Sequence, residues 1–238
     1  MRGFSVFCFG FSVFCLILRR CFSQRRQGRK GEDVGQPPSA VRAAPPPSGA
    51  PPAQAEACGY ILQKAPLIRI MFADPKILLV KLSSFGDVLH TLPTLEALLQ
   101  AFPGAHITWL VEAAYAPLLA GHPSLDELWL APRLRPREFL AGPNQAILRR
   151  LLSDLRRRRF DIVLDVQGLL KSAVWVAQAR SPRKVGYDRT REGSYLALTE
   201  RLPPYDPEAH AVRRYLHLAH YLGAPAGRRA FVWGWIRG

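Results

Sequence analysis

The stretch Ile77-Leu78-Leu79-Val80-Lys81-Leu82-Ser83-Ser84-Phe85-Gly86-Asp87-Val88-Leu89-His90-Thr91-Leu92-Pro93 organises the rest of the chain. It opens as a continuous apolar run, the pattern of a strand buried on both faces of a parallel sheet. It breaks at the small-residue turn Ser83-Ser84-Phe85-Gly86. It resumes with Val88, Leu89, Leu92, Leu95, Leu98 and Leu99, mostly three or four apart, which predicts an amphipathic helix from about Val88 to Ala101. Asp87 falls at or beside the N-cap of that helix. A cap explains it, because a carboxylate accepts backbone N–H bonds and faces the positive end of the helix dipole. An active-site carboxylate explains it equally in kind, because ligands of open α/β sheets sit outside the carboxyl ends of the strands.

Outward from this unit, strand and helix patterns alternate. His106 to Val111 reads as a second strand, followed by Glu112. A short helix is expected over Ala114 to Ala120, and a third strand over Leu125 to Leu130. Arg133, Arg135 and Arg137 lie in a Pro-punctuated segment. A helix follows from about Asn144 to Arg159, then a strand over Asp161 to Val166. Gln167-Gly168 turns into a helix from Lys171 to Ala179. Val185 to Tyr187 is a further short strand, and Glu208 to Leu222 a last helix, with Val212, Tyr215, Leu216 and Ala219 on one face. This alternation implies right-handed crossovers and an α/β, Rossmann-like, doubly wound parallel sheet.

Residues 1–70 read differently. Phe4 to Leu18 carries no charge but is short for a membrane span, and arginines rather than a cleavage site follow it. Residues 34–57 are rich in Pro, Ala, Gly and Ser, a linker composition that cannot build a core. The second of two methionines, Met71, stands just before the first strand, so the expectation is a disordered extension or an upstream-assigned start over 1–70. The domain is expected over 71–225. Residues 226–238 are expected to be a tail left by a truncated or frameshifted reading frame.

The chain carries a net charge of +15, which suits an anionic partner: nucleic acid, an anionic membrane surface or a phosphorylated glycolipid. No helix-turn-helix, RNA-binding or zinc pattern accompanies that charge, which argues against nucleic acid. All four cysteines, Cys8, Cys15, Cys21 and Cys58, precede residue 71, so no disulfide framework involves the domain. There is no Walker loop, no Rossmann glycine fingerprint and no Ser–His–Asp arrangement, and neither metal nor cofactor is called for. Asp165-Val166-Gln167-Gly168-Leu169-Leu170-Lys171-Ser172-Ala173 is a second polar strand-to-helix junction, aimed at the same sheet edge as Asp87. Asp165 and Gln167 are readable as groups that satisfy backbone ends, and Lys171 as a solvated surface lysine. The run Arg156 to Arg159 reads as a solvated helix end or a patch for an anionic membrane surface.

Residues 80–93 resemble the N-terminal motif of the lipopolysaccharide heptosyltransferases (glycosyltransferase family 9), most closely the heptosyltransferase I type. The resemblance continues through Asp165 to Ala173, the basic Arg133–Arg137 segment, Arg189-Thr190-Arg191-Glu192 and His210-Ala211-Val212. It implies the N-terminal half of a two-domain GT-B glycosyltransferase, covering about 76–224, with an inverting transfer of heptose from ADP-heptose to Kdo of the inner core. Asp87 stands where the family has its catalytic base. Ser83, Ser84, Gly86, His90, Arg133, Arg135, Arg137, Gln167, Gly168, Lys171 and Arg191 stand where acceptor contacts are expected; His210 is expected to be structural. The implied partners are a Kdo–lipid A acceptor, ADP-heptose and the anionic membrane surface, without nucleic acid, on the cytoplasmic face of the inner membrane. The family's late Asp-Thr-Gly-x-x-His donor segment has no counterpart here, so the expectation is a truncated chain, inactive or weak alone. The alternative is a catalytically silent, membrane-associated acceptor-binding module.

Overall fold

The computed structural model describes residues 74–133, 142–190, 192–206 and 208–225. The expected extension over 1–70, the tail over 226–238, and Arg135, Arg137 and Arg191 lie outside the described residues. Strand β1 (Lys76–Val80) leads into helix α1 (Phe85–Ala101), then β2 (His106–Glu112), a 3-10 turn (Ala113–Leu118) and β3 (Glu127–Ala131). Helix α2 (Gly142–Arg157), β4 (Ile162–Asp165), α3 (Leu170–Gln178) and β5 (Arg183–Tyr187) follow. A second 3-10 turn (Ser194–Ala197), β6 (Glu200–Leu202) and α4 (Ala211–Tyr221) complete the order.

The six strands are all parallel, in the order β3-β2-β1-β4-β5-β6. The order reverses between β1 and β4, which pair directly with Val80 opposite Asp165. A doubly wound sheet opens its ligand crevice at that reversal, beyond the carboxyl ends of the strands. Both polar junctions of the sequence therefore meet at one place.

The apolar run of β1 has the burial its composition demands: Ile77, Leu78, Leu79 and Val80 are all fully buried. Ile77 and Leu79 join Ile107, Trp109, Val111, Ile162 and Leu164 in the core beneath α1 and α4, which contributes Tyr215, Leu218 and Tyr221. Helices α1 and α4 pack on one another, while α2 packs against β3 and α3. Trp175, Val176, Leu151, Leu155 and Phe160 are buried as well. A sheet covered on both faces needs such strands, with no polar alternation.

Several boundaries differ from expectation for identifiable reasons. Helix α1 begins at Phe85, three residues before Val88, because Ser84 rather than Asp87 is its N-cap. Asp87 occupies the third helical position, and its Oδ2 accepts from the Ser84 backbone N–H at 3.3 Å, the reciprocal arm of a capping box. The segment after β2 forms a 3-10 turn instead of an α-helix, with Pro117 inside it. Helix α4 starts at Ala211, capped by His210, whose Nδ1 accepts from the Val212 N–H at 3.3 Å. Strand β6 and the turn before it are too short to leave a periodic signal.

Candidate active site

Lys81, the first residue past β1, is a lysine between apolar neighbours, and its side chain is only 2% exposed. A buried ammonium requires partners. It finds them in Tyr215 of α4, where Nζ donates to the phenol oxygen at 2.9 Å, and in Asp87, 3.9 Å away from its Oδ2. The same ammonium lies 4.5 Å from the centre of the Tyr215 ring. Burial drives the Lys81 pKa down to about 8, against the opposing pull of Asp87.

Asp87 is held from three directions. Its Oδ1 accepts from the Tyr215 hydroxyl at 2.9 Å. Its Oδ2 accepts from the Ser84 backbone N–H and from the Ser84 hydroxyl at 3.1 Å. Burial alone would raise its pKa, but the Lys81 ammonium, the Tyr215 hydroxyl and Ser84 together outweigh burial and hold it below the ordinary value. The carboxylate is thus ionised, oriented and still 36% exposed. Tyr215 is pushed up to about 12 by burial and by Asp87, so it remains a donor across the physiological range.

The second junction builds a frame around the first. Asp165 is almost fully buried at the end of β4. Its Oδ1 accepts from the backbone N–H groups of Gln167 (3.1 Å) and Gly168 (3.0 Å), and its Oδ2 accepts from the Ser172 hydroxyl at 3.1 Å. Burial pushes it up to about 6 in spite of these donors. Gly168 has φ +65°, a left-handed conformation that favours glycine, and its Cβ position would lie 3.4 Å from Thr190 Cγ2. The Gln167 side-chain oxygen accepts from the N–H groups of Leu82 (3.1 Å) and Ser83 (3.2 Å), clamping the turn that carries Asp87.

Lys171 does not stand free in solvent. Its ammonium donates to the Ser83 hydroxyl and to Glu112 Oε1 at 3.0 Å, and Glu112 is buried at the end of β2. The solvated-lysine reading is therefore corrected: the lysine ties α3, β2 and the β1–α1 turn together. Glu192 accepts from the Leu170 N–H at 2.8 Å, which brings Glu192 to the start of α3. His90, on α1, packs edge-on against His210 with ring centres 5.1 Å apart. Arg133 is exposed just beyond β3, two strands from β1 on the same sheet edge. A Cβ at Gly86 would meet no atom within 4 Å, and Phe85 beside it is 57% exposed, so this corner of the turn is open.

Ser83, Ser84, Asp87, Gln167, Gly168 and Lys171 thus converge at the β1–β4 edge. Three residues of the same network escaped the sequence reading: Lys81, Glu112 and Tyr215. For Lys81 a signal existed, since a lone lysine following a buried strand needs a counter-charge. Tyr215 lies 128 residues from Asp87, and its spacing marked only a helix face. Arg214, with its guanidinium 5.5 Å from the Tyr215 ring, adds a further positive charge near Lys81.

Among the described residues no helix is long and apolar enough to cross a membrane. The sequence model of glycosyltransferase family 9 (heptosyltransferase) matches residues 148–229. Lipopolysaccharide heptosyltransferase 1 of Escherichia coli K12 is 34% identical over 142 residues, covering 58% of this chain and 44% of the relative. The Pseudomonas aeruginosa protein of the same name is 35% identical over 142 residues, covering 58% of this chain and 40% of the relative. The structure of E. coli heptosyltransferase WaaC with ADP superposes with a TM-score of 0.58 at 32% identity, over 64% of this chain and 50% of that one. A second structure of the same enzyme, with ADP-2-deoxy-2-fluoro heptose, gives the same values. The chain spans less than half the length of these curated relatives. With the doubly wound sheet and the motifs at its β1–β4 edge, these matches show a chain similar to the heptosyltransferases of glycosyltransferase family 9 and support that family for it.

Proposed function

We propose that this domain presents a Kdo-bearing lipid A acceptor for inverting heptosyl transfer from ADP-heptose, with Asp87 as the general base. The observation that carries this reading is an oriented and partly exposed carboxylate at the switch point of the sheet, beside the Lys81 ammonium and in the turn whose Ser83 is bonded by Lys171. Asp87 takes the proton from an acceptor hydroxyl as that oxygen attacks the anomeric carbon of the heptose. The bond from that carbon to the ADP oxygen breaks as the new bond forms, and ADP leaves with the electron pair. General-base help of this kind is worth about 10²–10⁴-fold. Orientation of the two substrates supplies a further part of the rate.

Ser83, Ser84, Gly86 and Gly168 shape the floor of the acceptor pocket in this reading, and His90 its wall. Gln167 and Lys171 hold the turn in place, and Lys171 adds positive charge for an acceptor rich in carboxylate and phosphate. Arg133, Arg135, Arg137 and Arg191 are the proposed arginine contacts, since a guanidinium binds such groups with two parallel hydrogen bonds. In this reading the protein works peripherally at the cytoplasmic face of the inner membrane. The second reading is a catalytically silent, membrane-associated module that binds the acceptor through the same residues without turnover.

Mass spectrometry of a Kdo–lipid A acceptor incubated with ADP-heptose and the full chain tests both. A gain of one heptose on the acceptor supports the transferase. Saturable acceptor binding without ADP release supports the module. Absence of both binding and transfer contradicts the two readings together.

A further inference from the structure

Two elements far apart in sequence meet at Asp87. Lys81 ends the first strand unit, and Tyr215 lies in the last described helix, packed across α1. The three side chains form one directed chain: the Lys81 ammonium donates to the Tyr215 oxygen at 2.9 Å, and the Tyr215 hydroxyl donates to Asp87 Oδ1 at 2.9 Å. Tyr215 is itself buried, so its hydroxyl is committed to this pair and shielded from competing solvent.

We propose that Tyr215 is a positioning residue for Asp87, fixing the carboxylate through Oδ1 and tying its ionisation to the seating of α4 on α1. The functional consequence rests on the reading of Asp87 as base; the positioning itself does not. A carboxylate held only by Ser84 would keep its helix-cap arm and lose its lateral anchor. With the Tyr215 hydroxyl in place, Oδ2 is bound to the turn and Oδ1 to the helix, which leaves the remaining lone pair of Oδ1 in a defined direction. A proton arriving from an acceptor hydroxyl would meet that lone pair while Tyr215 keeps its own proton. The other charged groups around the chain are Arg214 of α4, Lys171 of α3 and Asp165 of β4, all of which act on Lys81. The tyrosine hydroxyl is bonded to both Lys81 and Asp87.

The test is a carboxyl-carbon NMR titration of the full chain, with the Asp87 signal assigned by its loss in Asp87→Asn. In the wild type the midpoint is expected below the ordinary aspartate value of about 3.9. In Tyr215→Phe, which keeps the ring and removes the donor, it is expected to rise toward the ordinary value. Tyr187→Phe is the control. Tyr187 also holds α4, donating to the Arg214 carbonyl at 2.7 Å, but does not bond Asp87. An Asp87 midpoint unmoved by Tyr215→Phe, or moved as far by Tyr187→Phe, overturns the proposal. If Tyr215→Phe does not fold, the wild-type titration alone still decides, because an Asp87 midpoint in the ordinary range overturns it. Where heptosyl transfer is measurable, Tyr215→Phe should move the acid limb of kcat upward and leave the acceptor KM unchanged. A shifted Asp87 titration alongside transfer that survives Asp87→Ala would remove the base reading and leave the positioning role standing.

Discussion

Asp87 and Asp165 belong to two neighbouring strand-to-helix junctions, and the two carboxylates are treated in opposite ways. Asp165 stands opposite Val80 in the sheet, almost fully buried, with every donor to it supplied by its own turn and helix. Asp87 lies beyond the same edge, partly exposed, with donors from its own turn and from a distant helix, and an ammonium 3.9 Å away. At Asp165 burial outweighs its donors and the Lys81 charge and raises the pKa; at Asp87 burial is outweighed by Lys81, Tyr215 and Ser84, which lower it. The contrast separates a group that shapes the site from a group that can react in it, although the local sequences look alike.

The largest effect that would break this contrast is on turnover. Under the proposed function, Asp87→Ala should slow heptosyl transfer by about 10²–10⁴-fold, measured as acceptor-dependent ADP release, while the melting temperature changes little. Asp165→Ala should do the reverse in emphasis. It strips the acceptor from two turn N–H groups and from Ser172, and should lower unfolding stability by about 1–3 kcal/mol, read as a lower urea midpoint.

The pH dependence of stability sharpens the comparison further. Asp165 has its folded pKa raised to about 6 from 3.8. The native state therefore binds that proton more tightly than the unfolded chain does. Its stabilising contribution is full below the unfolded value and is lost as pH rises through about 6, by up to about 3 kcal/mol. Asp87 has the opposite sign: its contribution is present above the unfolded value and is lost as pH falls through its lowered folded pKa. Burial of His217, lowered to about 4, acts with the opposite sign over the same window, so the test is the difference: from pH 4 to 6 the stability of the wild type should fall relative to that of Asp165→Asn in denaturant unfolding.

The smallest effects separate the two turn glycines. Gly168→Ala places a side chain at positive φ and should cost about 1–2 kcal/mol. Gly86 lies in the first turn of α1 with open space at its Cβ position, and Gly86→Ala should be neutral or stabilising by up to about 1 kcal/mol in thermal unfolding. A substantial loss at Gly86 would show that its backbone, too, is conformationally committed.

Much of the frame was legible because it is written in local patterns. The apolar run Ile77 to Val80 announced a strand covered on both faces, and the leucines of α1 announced its buried face. The junctions carrying Asp87 and Gln167 could be placed at one sheet edge from strand-helix alternation alone. The first turn of α1 was misplaced because Ser84 and Asp87 are both good caps, and only backbone geometry chooses between them. Strand β6 was missed because three residues carry no period. The Lys81–Tyr215–Asp87 chain and the Lys171–Glu112 pair were missed for a different reason. Each joins residues distant in the chain, and nothing in local spacing records which side chains meet once the helices have packed.

The division of roles between the two carboxylates is tested most directly by following both in a single carboxyl-carbon NMR titration of the full chain. The account predicts two separated midpoints, Asp87 below the ordinary aspartate range and Asp165 at about 6. Asp87 titrating at or above Asp165 would contradict it, because the exposed carboxylate would then be neither held ionised by Lys81 and Tyr215 nor distinguished from its buried neighbour.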